Sequence, residues 1–190
     1  MITAIVLAAG QSRRMGQPKM LLPWGQSTVL GKVIETFTSA GAEEILVVTG
    51  GAREQVEALV GNSAKTVFNP DHAQGEMLSS VQIGLSNASG QAALIALGDQ
   101  PKVRERSVRS VMEAYARGQA AIIVPSYKMR RGHPWLIAKT HWGEILKMKP
   151  GQTLRNFLDR HHDEIQYVNV DDPGILQDLD TPDDYEKHKP

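Results

Sequence analysis

The chain has no cysteine. Disulfides, thiolate nucleophiles and cysteine-based zinc sites are therefore excluded, and any metal must sit on oxygen or imidazole. Net charge is missing too, because 21 Lys and Arg balance 21 Asp and Glu. No global field draws the protein to nucleic acid or to an anionic membrane, so an anion must be held locally. No apolar stretch approaches the roughly 20 residues of a membrane span. The first residues enter a strand pattern without a basic leader or cleavage site. The expectation is a soluble, cytoplasmic protein whose partners include neither nucleic acid nor membrane. Internal repeats, low-complexity tracts and linkers are also lacking, and 190 residues suit one well-cored domain over 1–190 better than two.

What is there is an alternation of strand-like and helix-like patterns, which argues for an α/β layer fold with a largely parallel sheet. Apolar runs predict strands at 2–7, 44–49, 66–68, 92–97 and 120–124, with further strands at 135–137 and 166–170. Val29, Leu30, Val33, Ile34 and Phe37 mark one face of a first helix, with Ser27 as its cap and Gly41 closing it. Helices are also expected over 54–60 and 77–85. Val108, Val111, Met112 and Tyr115 form a helical stripe that Gly118 stops. Two helices near 142–147 and 153–161 and a last short one complete the pattern.

The densest segment is Leu7-Ala8-Ala9-Gly10-Gln11-Ser12-Arg13-Arg14-Met15-Gly16-Gln17-Pro18-Lys19, directly after the first strand. Gly10 and Gly16 let the backbone approach an anion, and Arg13, Arg14 and Lys19 supply charge. It is neither of two better-known phosphate loops. Five residues separate its glycines, Gln17-Pro18 follow the second one, and no G-x-G-x-x-G is present. Pro18 disfavours helix at Gln17, so irregular backbone is expected past Lys19.

Gly98-Asp99-Gln100-Pro101 follows the purest apolar run, which places Asp99 at the carboxyl edge of the sheet, beside the first loop. A carboxylate facing a polyphosphate loop repels the ligand unless a divalent cation lies between them, so the pair implies a magnesium-nucleotide site. The alternative is that Asp99 only starts a turn. In Asp178-Leu179-Asp180-Thr181-Pro182-Asp183-Asp184, Thr181 reads as an N-cap and Pro182 as the first helical residue. Asp183 and Asp184 then sit at the positive helix end. That leaves Asp178 or Asp180 as a second metal ligand, with Asp180 preferred.

Gly75, Ser79 and Ser80 offer small polar groups for a base or ribose, or else cap a helix. Arg130-Arg131-Gly132-His133-Pro134 is a second basic turn, either a receiver for an anionic acceptor or a solvated hairpin. His161 and His162 are expected to serve the negative pole of a helix rather than a metal, and the other histidines show no metal-ligand spacing. No Ser-His-Asp or Cys-His set is evident. A phosphate-monoester acceptor, largely ionised at neutral pH, needs no general base.

Residues 7–19 resemble the Leu-Ala-Ala-Gly-x-Ser-x-Arg-Met-Gly-x-Pro-Lys signature of the MobA-like nucleotidyltransferases. Gly98-Asp99-Gln100-Pro101, Arg131-Gly132-His133-Pro134 and Asp178-Leu179-Asp180-Thr181-Pro182 recur there in the same order, so the resemblance covers nearly the whole chain. It implies a Rossmann-like three-layer α/β/α sandwich with a mostly parallel sheet, of the nucleotide-diphospho-sugar transferase kind. Ala8-Ala9-Gly10 with Arg-Gly-His-Pro is similar to the family's cytidylyl-transferring branch, whose guanine-using relatives usually carry Ala-Gly-Gly. That branch transfers CMP from CTP to the phosphate of Mo-molybdopterin and releases pyrophosphate.

By this resemblance Leu7, Ala8, Ala9, Gly10, Gly75, Ser79 and Ser80 meet the nucleotide, while Arg14 and Lys19 hold its phosphates. Asp99 and Asp180 hold Mg2+, with Mn2+ as an alternative. Arg131, Gly132 and His133 face the acceptor. Catalysis would rest on Arg14, Lys19 and Asp99. Glu76-Met77-Leu78 is atypical beside the base, and Trp135 in place of a smaller aliphatic residue implies a narrower acceptor pocket. Transient contact with molybdoenzyme maturation factors is a further expectation. The competing readings are a related magnesium-dependent nucleotidyltransferase using GTP or another phosphorylated acceptor, and a non-catalytic nucleotide-binding regulatory or chaperone module.

Overall fold

The computed structural model describes residues 1–74, 77–118 and 120–190. Its strands are β1 (Ile2–Ala8), β2 (Pro23–Trp24), β3 (Ser27–Thr28), β4 (Glu44–Thr49), β5 (Lys65–Phe68), β6 (Ala92–Leu97), β7 (Ile122–Tyr127), β8 (Arg130–Arg131), β9 (Trp135–Ala138) and β10 (Ile165–Asn169). The α-helices are α1 (Val29–Ala40), α2 (Arg53–Val60), α3 (Met77–Asn87), α4 (Glu105–Ala116), α5 (Trp142–Leu146), α6 (Leu154–Arg160) and α7 (Pro182–His188).

The main sheet runs β10-β7-β9-β6-β1-β4-β5, with β8 paired to β7 and a separate two-stranded β2-β3 ribbon. β1 lies at its centre, parallel to β4 on one side and β6 on the other. β9 runs antiparallel between β6 and β7. Every β1 residue is buried, which is why the sequence reads there as a continuous apolar run.

Alternation within that run divides the core between two helical layers. Ala4, Val6 and Ala8 pack with α1, α2 and α4 through residues such as Leu30, Val56 and Val108. Ile5, Leu7 and Ala9 pack with α3, α5 and α6 through Val81, Ile145 and Phe157. The expected α/β/α sandwich with a mostly parallel sheet is the observed architecture. Gly84 permits the tightest helix-sheet approach, because a Cβ there would stand 2.4 Å from Ile5 Cγ2. With α3 so close to β1, its first turn reaches the carboxyl edge of the sheet.

Three local expectations change. Thr28, not Ser27, caps α1 by accepting from Gly31 N at 3.0 Å, because Thr28 is the extended residue directly before Val29. Gly41 does close that helix, in the left-handed region at φ 94°. The strand expected at 120–124 is displaced to Ile122–Tyr127 and passes through Pro125, whose carbonyl accepts from Gly132 N. Past Pro18 the backbone is not irregular but makes a 3-10 turn over Lys19–Leu21, with Pro18 as the extended residue before it. No helix among the described residues is long and apolar enough to cross a membrane.

Candidate active site

β1 delivers the basic loop to the carboxyl edge, and the loop is then closed by its own serine. Ser12, at φ 49°, accepts from Lys19 N at 3.1 Å through Oγ, and its carbonyl accepts from Met15 N at 2.9 Å. Gly16 turns the chain at φ 67°. Lys19 is thereby swung back under the loop, where only 11% of its side chain is exposed.

There its ammonium donates to Asp99, which stands directly beyond β6, and also to Asp180 Oδ1 at 3.3 Å. Arg14 reaches the other oxygen of Asp180, Nη2 to Oδ2 at 2.9 Å, with most of its side chain exposed. Burial alone would lower the Lys19 pKa, but Asp99 and Asp180 outweigh it and hold the ammonium above its ordinary value. Burial pushes the Asp99 carboxyl up, and Lys19 opposes that shift. Two cations and two carboxylates from three parts of the chain thus converge on one point.

The C-terminal acidic segment reaches this point as an extended stretch whose residues take alternate partners. Asp178 Oδ1 accepts from Gln100 Nε2 at 2.6 Å, Leu179 N donates to Asp99 O at 3.1 Å, and Asp180 turns toward Lys19. Asp178 is thus occupied in holding the segment, and Asp180 is the one that shares the Lys19 ammonium with Asp99. Thr181 then caps α7 in a capping box with Asp184, as expected. Asp183→Ala is expected to change activity little and the melting temperature by about a degree or two. Asp180→Ala should cut activity at least tenfold, and parallel turnover and melting assays on the two variants check the division.

A cavity of about 470 Å³ opens over Arg14, Lys19 and Asp99, and Asp180 is not among its walls. Leu7, Ala9 and Gly10 line it with Arg14, Lys19 and Asp99, and Ser80 closes it from α3. Ala8 is not among its walls, since the alternation of β1 turns that side chain into the opposite core layer. Nor is Ser79, which is held with Ser80 by Asn69: Nδ2 donates to the two hydroxyls at 3.0 and 2.9 Å. Gly75 lies outside the described residues.

Sequence reasoning missed Ser12, which closes the loop, and Asn69, which stands in an Asn69-Pro70-Asp71 turn after β5. It also missed His72 and Gln74 on the cavity wall. Asn69 is fully buried although polar, and its Oδ1 accepts from Asp71 N at 3.0 Å. The Asn-Pro-Asp turn was the available signal, but its partners lie ten and eleven residues on.

The expected acceptor trio flanks the cavity rather than lining it. His133 N donates to Ile175 O at 3.0 Å, and its Nδ1 lies 3.2 Å from Ile95 O in β6. Burial drives the His133 pKa down to about 4, so the ring is neutral at pH 7. Gly132 is held where a Cβ would stand 2.5 Å from Ile175. Arg131 points away, to Asp159 at 3.5 Å and over the Tyr167 ring. Trp135, expected to narrow the acceptor pocket, is buried and stacks on His133 with ring centroids 4.4 Å apart.

The donor set fits a hard divalent cation. Asp99 and Asp180 offer carboxylate oxygens around one position, and that position already holds a positive charge, the Lys19 ammonium.

Comparison with known proteins agrees with this layout. Residues 4–165 match the model of the MobA-like NTP transferase domain. The chain is 32% identical over 187 residues to the molybdenum cofactor cytidylyltransferase of Escherichia coli, covering 97% of this chain and 93% of that one. It is 27% identical to a protein of Paenarthrobacter nicotinovorans named nicotine blue oxidoreductase, covering 95% and 92% of the two chains. Among solved structures, the Mycobacterium tuberculosis protein Rv0371c in complex with manganese superposes with a TM-score of 0.81 at 27% identity, covering 98% of this chain and 96% of that one. With the domain match spanning most of its length, the chain belongs to the MobA-like NTP transferase family and is an enzyme of the nucleotidyltransferase class.

Proposed function

We propose that the chain, as one nucleotidyltransferase domain over 1–190, transfers CMP from CTP to the terminal phosphate of Mo-molybdopterin and releases pyrophosphate. The observation that carries this reading is the enclosure of Lys19 by Asp99 and Asp180 beneath the bare backbone of Gly10. Among the described residues, apart from Gly10 and its two chain neighbours, no atom lies within 4 Å of where a Gly10 Cβ would stand. The fold does not need a glycine there, whereas a phosphate chain approaching the backbone does. The relative in Escherichia coli and the Ala8-Ala9-Gly10 form support cytosine and the molybdopterin acceptor.

In this reading Arg14 and Lys19 leave their carboxylate partners for the nucleotide phosphates. The ammonium meets them as a point charge, and the guanidinium as a planar fork. Asp99 and Asp180, so released, hold Mg2+ or Mn2+, and the manganese complex of a structural neighbour supports a divalent ion here. Bound there, the ion would neutralise charge on the phosphates as pyrophosphate departs. Ser80 and Gln74 face the base and ribose from the cavity wall. The acceptor phosphate is already ionised and is a nucleophile without a protein base. His133, being neutral, adds no positive charge on the acceptor side. Arg131 is 37% exposed and is free to exchange Asp159 for an anionic group. What the chain contributes to the rate is alignment and preorganised charge.

Purified protein with Mg2+ and Mo-molybdopterin should release pyrophosphate from CTP, with kcat/KM for GTP lower by at least about tenfold. Equal turnover of GTP would overturn the base assignment. Release from CTP with other phosphorylated acceptors, but not with Mo-molybdopterin, would overturn the acceptor.

A further inference from the structure

The histidines expected to serve a helix pole, or to lie too far apart for a metal, are gathered by the fold. His141 follows β9, His161 ends α6, and Glu164 immediately precedes β10. One ligand atom from each lies within 4.8 Å of the others, the one such His and carboxylate group among the described residues. Glu164 stands between the rings, with Oε1 2.7 Å from His161 Nδ1 and Oε2 3.6 Å from His141 Nε2. The two imidazoles meet edge to face with centroids 4.9 Å apart. Both are largely buried, at 14% and 17% side-chain exposure.

A further arrangement makes this more than an ion-pair network. His161 Nε2 is 2.7 Å from Glu144 Oε2, and Glu144 is itself held by Arg160 at 2.7 Å. A carboxylate on the far nitrogen fixes the ring, and a metal would take the place of the proton that Nδ1 now donates to Glu164. Metal-bound histidines are oriented in the same way.

We propose that His141, His161 and Glu164 form a zinc-type divalent metal site that clips the loop after β9 to the end of α6 and the start of β10. Two imidazoles and one carboxylate are a borderline donor set suited to Zn2+ rather than Mg2+. A tetrahedral site built from these three donors and one water needs the donors about 3.4 Å apart, given metal-ligand distances near 2.1 Å. Glu164 supplies the adjustment, being 54% exposed.

The site is separate from the nucleotide cavity, because it lies at the opposite edge of the sheet from Asp99. β9 is antiparallel to β6 with Ala138 beside Ala92, so His141 emerges where β6 begins, and Asp99 stands where β6 ends. The two are separated by the length of β6, about 17–20 Å.

The test uses the whole protein, stripped with chelator and titrated with Zn2+, and with Co2+ for its visible spectrum. One equivalent should bind, Co2+ should show the intense band of a tetrahedral site, and Zn2+ should raise the melting temperature by about 5–10 °C at a hundredfold excess over Kd. Glu144→Gln should weaken binding about 10–100-fold. His141→Gln and Glu164→Gln should remove the tetrahedral band and the thermal shift, and Asp99→Asn should leave both intact. Glu164→Gln alters an exposed side chain and keeps the test independent of folding. Absence of saturable binding tighter than about 0.1 mM, or binding indifferent to His141→Gln and Glu164→Gln, would overturn the site.

Discussion

Asp99→Asn should lower pyrophosphate release from CTP on the order of a thousandfold, about 4 kcal/mol of lost transition-state stabilisation, while the melting temperature moves little. The amide keeps the shape of the side chain and its oxygen can still accept from Lys19, so the fold loses little. What disappears is the negative charge that balances the cations of the site and can hold a divalent ion. The loss should fall on kcat rather than on KM, because the charge matters most as pyrophosphate departs. A variant with wild-type turnover would remove Asp99 from the chemistry altogether.

Lys19→Met should be as damaging to turnover and should also destabilise the protein. It leaves Asp99 buried beside Asp178 and Asp180 with no cation against it. Unpairing a buried charge typically costs about 3–5 kcal/mol; the lower end applies here because Asp180 is 37% exposed and screened. That corresponds to a fall in melting temperature on the order of 10 °C. The double variant Lys19→Met with Asp99→Asn should recover most of the stability and none of the activity. Simple additivity of the two stability changes would show that the pair is not coupled.

The parts of the fold that were legible in the sequence are those where one residue type answers to one physical demand. β1 and β6 are buried on both faces, so their apolar runs could be read without neighbours. α1 and α4 carry one-sided stripes because each covers only one face of the sheet. Thr181, Pro182 and Asp184 announce α7 because a capping box is a local device. Lys19, Arg14, Asp99 and Asp180 were legible as residues, and the structure brings all four together.

What remained hidden depends on long-range pairing. Nothing in Trp135–Ala138 reveals that β9 runs against its neighbours, yet that reversal carries His141 to the far edge. Asn69 has the sequence of a turn residue and the burial of a core residue, because its donors meet serines on a helix that arrives later. Ser27 and Thr28 are both capping residues, and only the point at which the ribbon ends and the helix begins, Val29, decides between them.

Asp180 enters the site from far along the chain, 161 residues after Lys19, whereas Asp99 follows Lys19 by 80. A ribosome therefore makes the strands that seat Lys19 and Asp99 long before it makes the residue that completes their surroundings. Folding that proceeds from the amino end during synthesis would form the sheet first. The nascent chain then carries an unfinished site until residues 178–180 lie down against Gln100 and Asp99. Residues 1–170 by themselves would hold Lys19 and Asp99 without the Asp180 carboxylate that shares the ammonium.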